Sequence, residues 1–171
     1  RYSSNTFPSW DLAQPFRTLA HNREINTLKG NINWMKIHEQ DMSSSLFKNV
    51  KDLKPVIRSS SDSGALDNVF ELLVHSGKLA PLIKLMMIPD AWSKRSKTVP
   101  KNHQDLFNFL NSTIEQWDGP AAICATDAKW VLASSDRNGL RPLRYTVTSD
   151  DLFYAGSETG MIKIPEEKII E

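Results

Sequence analysis

The run GPAAICATD, residues 119–127, decides how this chain is read. Pro120 to Thr126 is continuously small or apolar and is bounded by Gly119 and Asp127, so it predicts a buried strand. Lys129 to Ser134 follows across Asp127 and Ala128 as its hairpin partner. Asn138 and Gly139 form the strongest turn signal in the chain, because both residues tolerate positive φ. Leu143 to Thr148 and Leu152 to Ala155, separated by Ser149, Asp150 and Asp151, continue as two further strands. Residues 119–164 therefore predict an antiparallel sheet. The stretches Arg1 to Thr6 and Arg17 to His21 also read as extended and are candidates to join it.

Upstream the hydrophobic period changes from strand-like to helical. Ile25, Leu28, Ile32 and Met35 recur on one face after Asn22, and Leu66, Val69, Phe70, Leu73 and Val74 do so after the SSSDS run. Leu79, Leu82, Ile83 and Met86 make a third stripe ended by Pro89, and Leu106, Phe107, Leu110 and Ile114 make a fourth. All four predict core-packing helices, so residues 24–117 are helix-rich and 119–164 strand-rich, an α+β pattern. Trp34, Trp92, Trp117 and Trp130 are assigned to core and layer packing.

Composition bounds the function. The 171 residues are enough for one globular domain with a core. With 21 basic and 20 acidic residues the net charge is +1, which argues against broad electrostatic binding of nucleic acid or an anionic membrane. The local excess around Pro100 (Lys94, Arg95, Lys97, Lys101) reads as a solvated loop. No apolar run approaches a membrane span of about 18 residues, and residues 1–20 lack a basic-then-apolar signal pattern. The single Cys124 excludes an internal disulfide, fits a reducing compartment, and inside a buried strand reads as a structural thiol. The four histidines lack metal-ligand spacing, so no metal site is expected.

Two strings near the start carry chemistry: RYSSNT at residues 1–6 and HNREIN at 21–26. A guanidinium fork grips a carboxylate bidentately, and a carboxylate holds an ammonium, so Arg1 and Asp62 together suit an α-amino acid. Asn22 offers an amide donor just before a predicted helix, where unpaired N–H groups and the dipole favour negative charge. Losing one oxyanion donor of this kind costs on the order of 3 kcal/mol of transition-state stabilisation. Spacing alone also allows Asn22 and Asp62 to be helix N-caps.

Beyond these strings, MMIPDAW at 86–92, WDGPAA at 117–122, SDRNGLRPLRY at 135–145 and SETGMIKIP at 157–165 complete a series. Together, in order and essentially end to end, they resemble the glutamine amidotransferase region of glutamate synthase large subunits, of the N-terminal nucleophile hydrolase type. That resemblance implies a partial four-layer αββα sandwich, with residues 1–171 as the later part of the domain. It implies that an N-terminal cysteine attacks the side-chain amide of glutamine, releasing ammonia and then glutamate, with the cysteine's own amino group as base. It assigns the substrate carboxylate to Arg1, the oxyanion to Asn22 and the following backbone N–H, and the substrate ammonium to Asp62. Ammonia passes to a synthase domain that uses FMN and an iron–sulfur cluster to convert 2-oxoglutarate to glutamate. The implied partners are the rest of that subunit and a reductase subunit or ferredoxin, in the cytoplasm or a plastid; no cofactor is expected on this segment.

Two departures from the family pattern shape the expectation. The nucleophilic cysteine lies upstream of the arginine string in the family, so this chain alone is expected to be inactive, poorly stable or self-associating. Arg23 stands where the family has glycine; it keeps the backbone N–H but is penalised if positive φ is required. The favoured reading is the glutamine-binding part of a glutaminase domain. The alternative is a catalytically dead structural or interaction remnant of the same fold.

Overall fold

The structure is a computed structural model that describes residues 2, 6–91 and 99–170. Arg1, Trp92, Lys94, Arg95 and Lys97, discussed above, lie outside the described residues. In chain order the elements are β1 (Leu19–Arg23), α1 (Leu28–Asp41), α2 (Asp62–His75), α3 (Ala80–Met87) and α4 (Lys101–Asn111). They are followed by β2 (Ala121–Thr126), β3 (Val131–Ser135), β4 (Arg144–Val147) and β5 (Phe153–Gly156). The mixed helix and strand content agrees with the α+β reading.

The strands form two sheets rather than one. β1, β2 and β3 make an antiparallel sheet with β2 in the centre, while β4 and β5 pair as a separate ribbon. Register aligns Leu19 with Ala125 and Leu132, and Ala20 with Cys124 and Ala133. Alternation therefore sends Leu19, His21, Ala121, Ile123 and Ala125 to one face and Ala20, Asn22, Ala122 and Cys124 to the other. The first face is buried under helices, with Leu66, Val69, Ile83 and Met87 at its centre. Each such side chain contributes about 1.5–3 kcal/mol through burial. Helices α2 and α3 thus pack on the first face of the three-stranded sheet, and the β4–β5 ribbon is a second sheet.

The second face corrects an expectation. Cys124 does lie in a strand, but its side chain is exposed, because the pleat turns it to the face opposite the one that the described helices bury. Partial burial of the sulfur still pushes its thiol above the ordinary value. Val131, on the same face, is 84% exposed.

Packing of the helices is uneven. α2 buries most of its first three turns, from Asp62 through Phe70. α4, expected to pack by a full stripe, buries only Leu110; Leu106 and Phe109 are exposed. Trp117 sits in the core, whereas Trp34 and Trp130 are half-exposed and do not pack as expected. Trp34 falls on the outer side of α1, which turns Asn31 and Met35 inward.

Candidate active site

The β1–α1 connection is held at every backbone N–H from Glu24 to Thr27. Glu24 donates to Pro120 O (3.2 Å), Ile25 to Asp62 Oδ2 (2.8 Å), and Asn26 and Thr27 to Asp118 O (2.7 and 3.3 Å). The Asp118 N–H returns a bond to Thr27 Oγ1 at 3.0 Å. Gly119 permits this closeness: a Cβ there would stand 2.2 Å from Glu24 O and 2.8 Å from Asn26 N, and its φ is +152°.

Arg23 is fixed at the head of this stitched segment with φ +110°. That left-handed value suits glycine and costs a side-chain-bearing residue about 1–3 kcal/mol, tolerated only where the surroundings over-determine the backbone. Its side chain is exposed to solvent. Leu19 and His21, on the edge of β1 away from β2, donate their N–H groups to Asp67 Oδ1 (3.0 Å) and Gln14 Oε1 (2.7 Å). Ladder alternation makes the Arg23 N–H the third of this row.

Asn22 occupies β1 opposite Ala122, not a helix start. The helix expected directly after it begins only at Leu28, because the residues between are spent on the stitches to Pro120, Asp62 and Asp118. A helix dipole therefore does not act at Asn22, and neither does an N-cap role. Its amide Nδ2–H donates to Ser157 Oγ at 2.7 Å, and Ser157 is itself buried.

Asp62 is buried and opens α2, while the cap itself is Ser61, whose Oγ accepts from the Gly64 N–H at 3.0 Å. Asp62 Oδ1 accepts from the Ser63 N–H (2.7 Å) and Oγ–H (3.3 Å), and Oδ2 from Ile25. Ser63 Oγ meets His21 Nδ1 at 2.7 Å on the core side of β1. The structure thus brings Asp62 to the segment that carries Arg23, while the Asn22 amide projects from the other face of the strand. Arg1 lies outside the described residues.

Sequence reasoning missed three contributors. Asp67 Oδ1 accepts from the Thr18 N–H, Thr18 Oγ1–H and Leu19 N–H, pinning β1 to α2; its only signal was a carboxylate amid apolar helix positions. Asp136 accepts from Ala121, Asn138, Leu140 and Arg141 N–H groups, which shapes the loop after β3. Burial pushes its carboxyl up, but those four backbone bonds outweigh it and hold it below the usual carboxylate range. Ser157 is the third. Among the described residues no cluster of His, Cys, Asp and Glu is arranged to hold a metal ion, and no helix is long and apolar enough to cross a membrane.

The edge strand β1 thus ends in a strained, over-determined peptide at Arg23 beside the fixed amide of Asn22. The chain matches the model of the class-II glutamine amidotransferases over residues 1–171, and it belongs to that family. It is 57% identical over its whole length to the glutamate synthase [NADPH] large chain of Azospirillum brasilense. It is 47% identical to the glutamate synthase [NADH] of Saccharomyces cerevisiae and 42% identical to a ferredoxin-dependent glutamate synthase of Synechocystis, again over all of this chain. The chain spans only 11%, 8% and 11% of those three relatives.

Proposed function

We propose that this chain is the glutamine-binding part of the glutaminase domain of a glutamate synthase large subunit. The observation that carries the proposal is the Ser157-held Asn22 amide directly before Arg23 at the end of β1, with φ +110° at Arg23. Asn22 Nδ2 carries two protons, one given to Ser157, and the second is assigned to the oxygen that becomes negative when the glutamine amide is attacked. The Arg23 N–H donates to the same oxygen, with the Arg23 side chain turned out to solvent. Arg1 is assigned the substrate carboxylate. Asp62, which the Ile25 N–H ties to the segment carrying Arg23, is assigned the substrate ammonium.

The nucleophile in this account is the N-terminal cysteine of the full-length polypeptide, which completes the remaining layers of the four-layer sandwich. Released ammonia serves a synthase region where FMN and an iron–sulfur cluster supply the electron chemistry that turns 2-oxoglutarate into glutamate. A reductase subunit or ferredoxin feeds that region, in the cytoplasm or, in a photosynthetic eukaryote, a plastid.

The test is ammonia release from L-glutamine by the full-length polypeptide, with Arg1→Met as the companion. The proposal expects turnover, and a KM raised about tenfold or more in the variant, the loss of one bidentate carboxylate clamp. No ammonia release from folded protein would favour the structural-remnant reading instead.

A further inference from the structure

We infer that Ser157, Glu158 and Arg141 form a positioning network that sets which way the Asn22 amide faces. The inference rests on Asn22 being the oxyanion donor proposed above. Asn22 Nδ2–H donates to Ser157 Oγ at 2.7 Å, and Ser157 Oγ–H donates to Glu158 Oε2 at 2.6 Å. Arg141 donates from one terminal nitrogen to Ser157 Oγ at 3.2 Å and to Glu158 Oε1.

The direction of these bonds fixes the orientation of the amide. A serine hydroxyl has one proton and two lone pairs. With a carboxylate on one side and a guanidinium on the other, the proton goes to Glu158 and the lone pairs face Arg141 and Asn22. Ser157 can then only accept from Asn22. A flipped amide would set Oδ1 against an oxygen whose proton is already committed, placing two acceptors face to face. The flipped amide would also aim its carbonyl at the developing oxyanion. The network therefore excludes the orientation that would repel the transition state.

The network is anchored independently of Asn22. The Arg141 N–H donates to Asp136 Oδ2 at 2.8 Å, and the same oxygen accepts from the Ala121 N–H at 3.0 Å. Ala121 is the strand partner of Arg23. One carboxylate thus references both the Arg141 loop and the strand that carries the opposite side of the site.

The test is a double-mutant cycle in the full-length polypeptide, reading glutaminase kcat and KM, with thermal unfolding to verify folding. Ser157→Ala is expected to lower kcat about tenfold with KM within about threefold, part of the roughly 10²–10³ that one oxyanion donor is worth. Ser157→Thr, which keeps the hydroxyl, is expected to restore kcat. Glu158→Gln, which can donate to Ser157 and so frees its proton direction, is expected to fall like Ser157→Ala. In an Asn22→Ala background the Ser157→Ala effect should vanish, because a residue acting through Asn22 has nothing left to position.

An undiminished Ser157→Ala effect in that background would overturn the inference, as would kcat within about twofold of the parent for Ser157→Ala while Asn22→Ala is severely impaired. Unchanged kcat in Asn22→Ala itself would overturn the oxyanion reading and the inference with it.

Discussion

Asp62 Oδ2 accepts the backbone N–H of Ile25 at 2.8 Å, which ties the first residue of α2 to a point two positions beyond Arg23. Truncating the side chain to a methyl group would strand the buried Ile25 N–H. Asp62→Ala is therefore expected to cost about 2–4 kcal/mol, a lost charged acceptor plus an unsatisfied donor. Denaturant titration of the full-length polypeptide measures it. Asp62→Asn can keep an acceptor for Ile25 only by setting its NH2 against the Ser63 N–H, so it should recover part of the loss and not all of it; stability equal to the parent in Asp62→Ala would show that the Ile25 bond contributes nothing.

Arg23→Gly separates strain from obstruction. Relief of φ +110° is worth about 1–3 kcal/mol, against about 0.5–1 kcal/mol of extra backbone entropy lost by glycine on folding. A net stabilisation of roughly 1 kcal/mol is expected, with kcat changed less than about threefold because the arginine side chain already faces solvent. A rise in turnover of an order of magnitude or more would mean that the side chain reaches the site.

Asp136 predicts a specific acid sensitivity. Its folded carboxyl titrates below its unfolded counterpart, so its contribution is complete above the unfolded value of about 3.9 and is lost as pH falls through the folded value. Asp127, held low chiefly by the Ala80 and then the Trp130 N–H, and Asp150, held low by Thr148 and then Lys168, shift the same way. Asp136→Asn should lower Tm at neutral pH and flatten, without abolishing, the fall of Tm on acidification. An unchanged acid slope would contradict the assignment.

The exposed part of the second face of the three-stranded sheet predicts self-association of the isolated chain. Cys124 and Val131 are exposed there, and β3 forms an edge of the sheet. Sedimentation of the isolated chain should show oligomers that Val131→Lys reduces. A monomeric, cooperatively unfolding chain would show that the face tolerates water.

The helices and most strands were legible because their cues are local: apolar residues at helical spacing in α2, a bounded apolar run in β2, an Asn-Gly turn. Arg17 to His21 was legible as an extended stretch fit to join the sheet, but its register against β2 was not, since a pairing between residue 20 and residue 124 leaves no local trace. Residues that bear chemistry were legible through strings, and Arg23 was singled out for the conformation that the structure shows. Their partners were not. That Asn22 meets Ser157, 135 residues away, or that Asp62 spends an oxygen on Ile25, follows only from tertiary packing. Exposure of Cys124 was equally hidden, because which face of a strand is covered depends on the layers around it.

The most direct measurement is glutaminase kcat for Asn22→Ala in the full-length polypeptide, at saturating glutamine. The account predicts a fall of about 10²–10³-fold with little change in KM, the signature of a donor used in the transition state. A kcat within about threefold of the parent would contradict it, and would remove Asn22 from the chemistry.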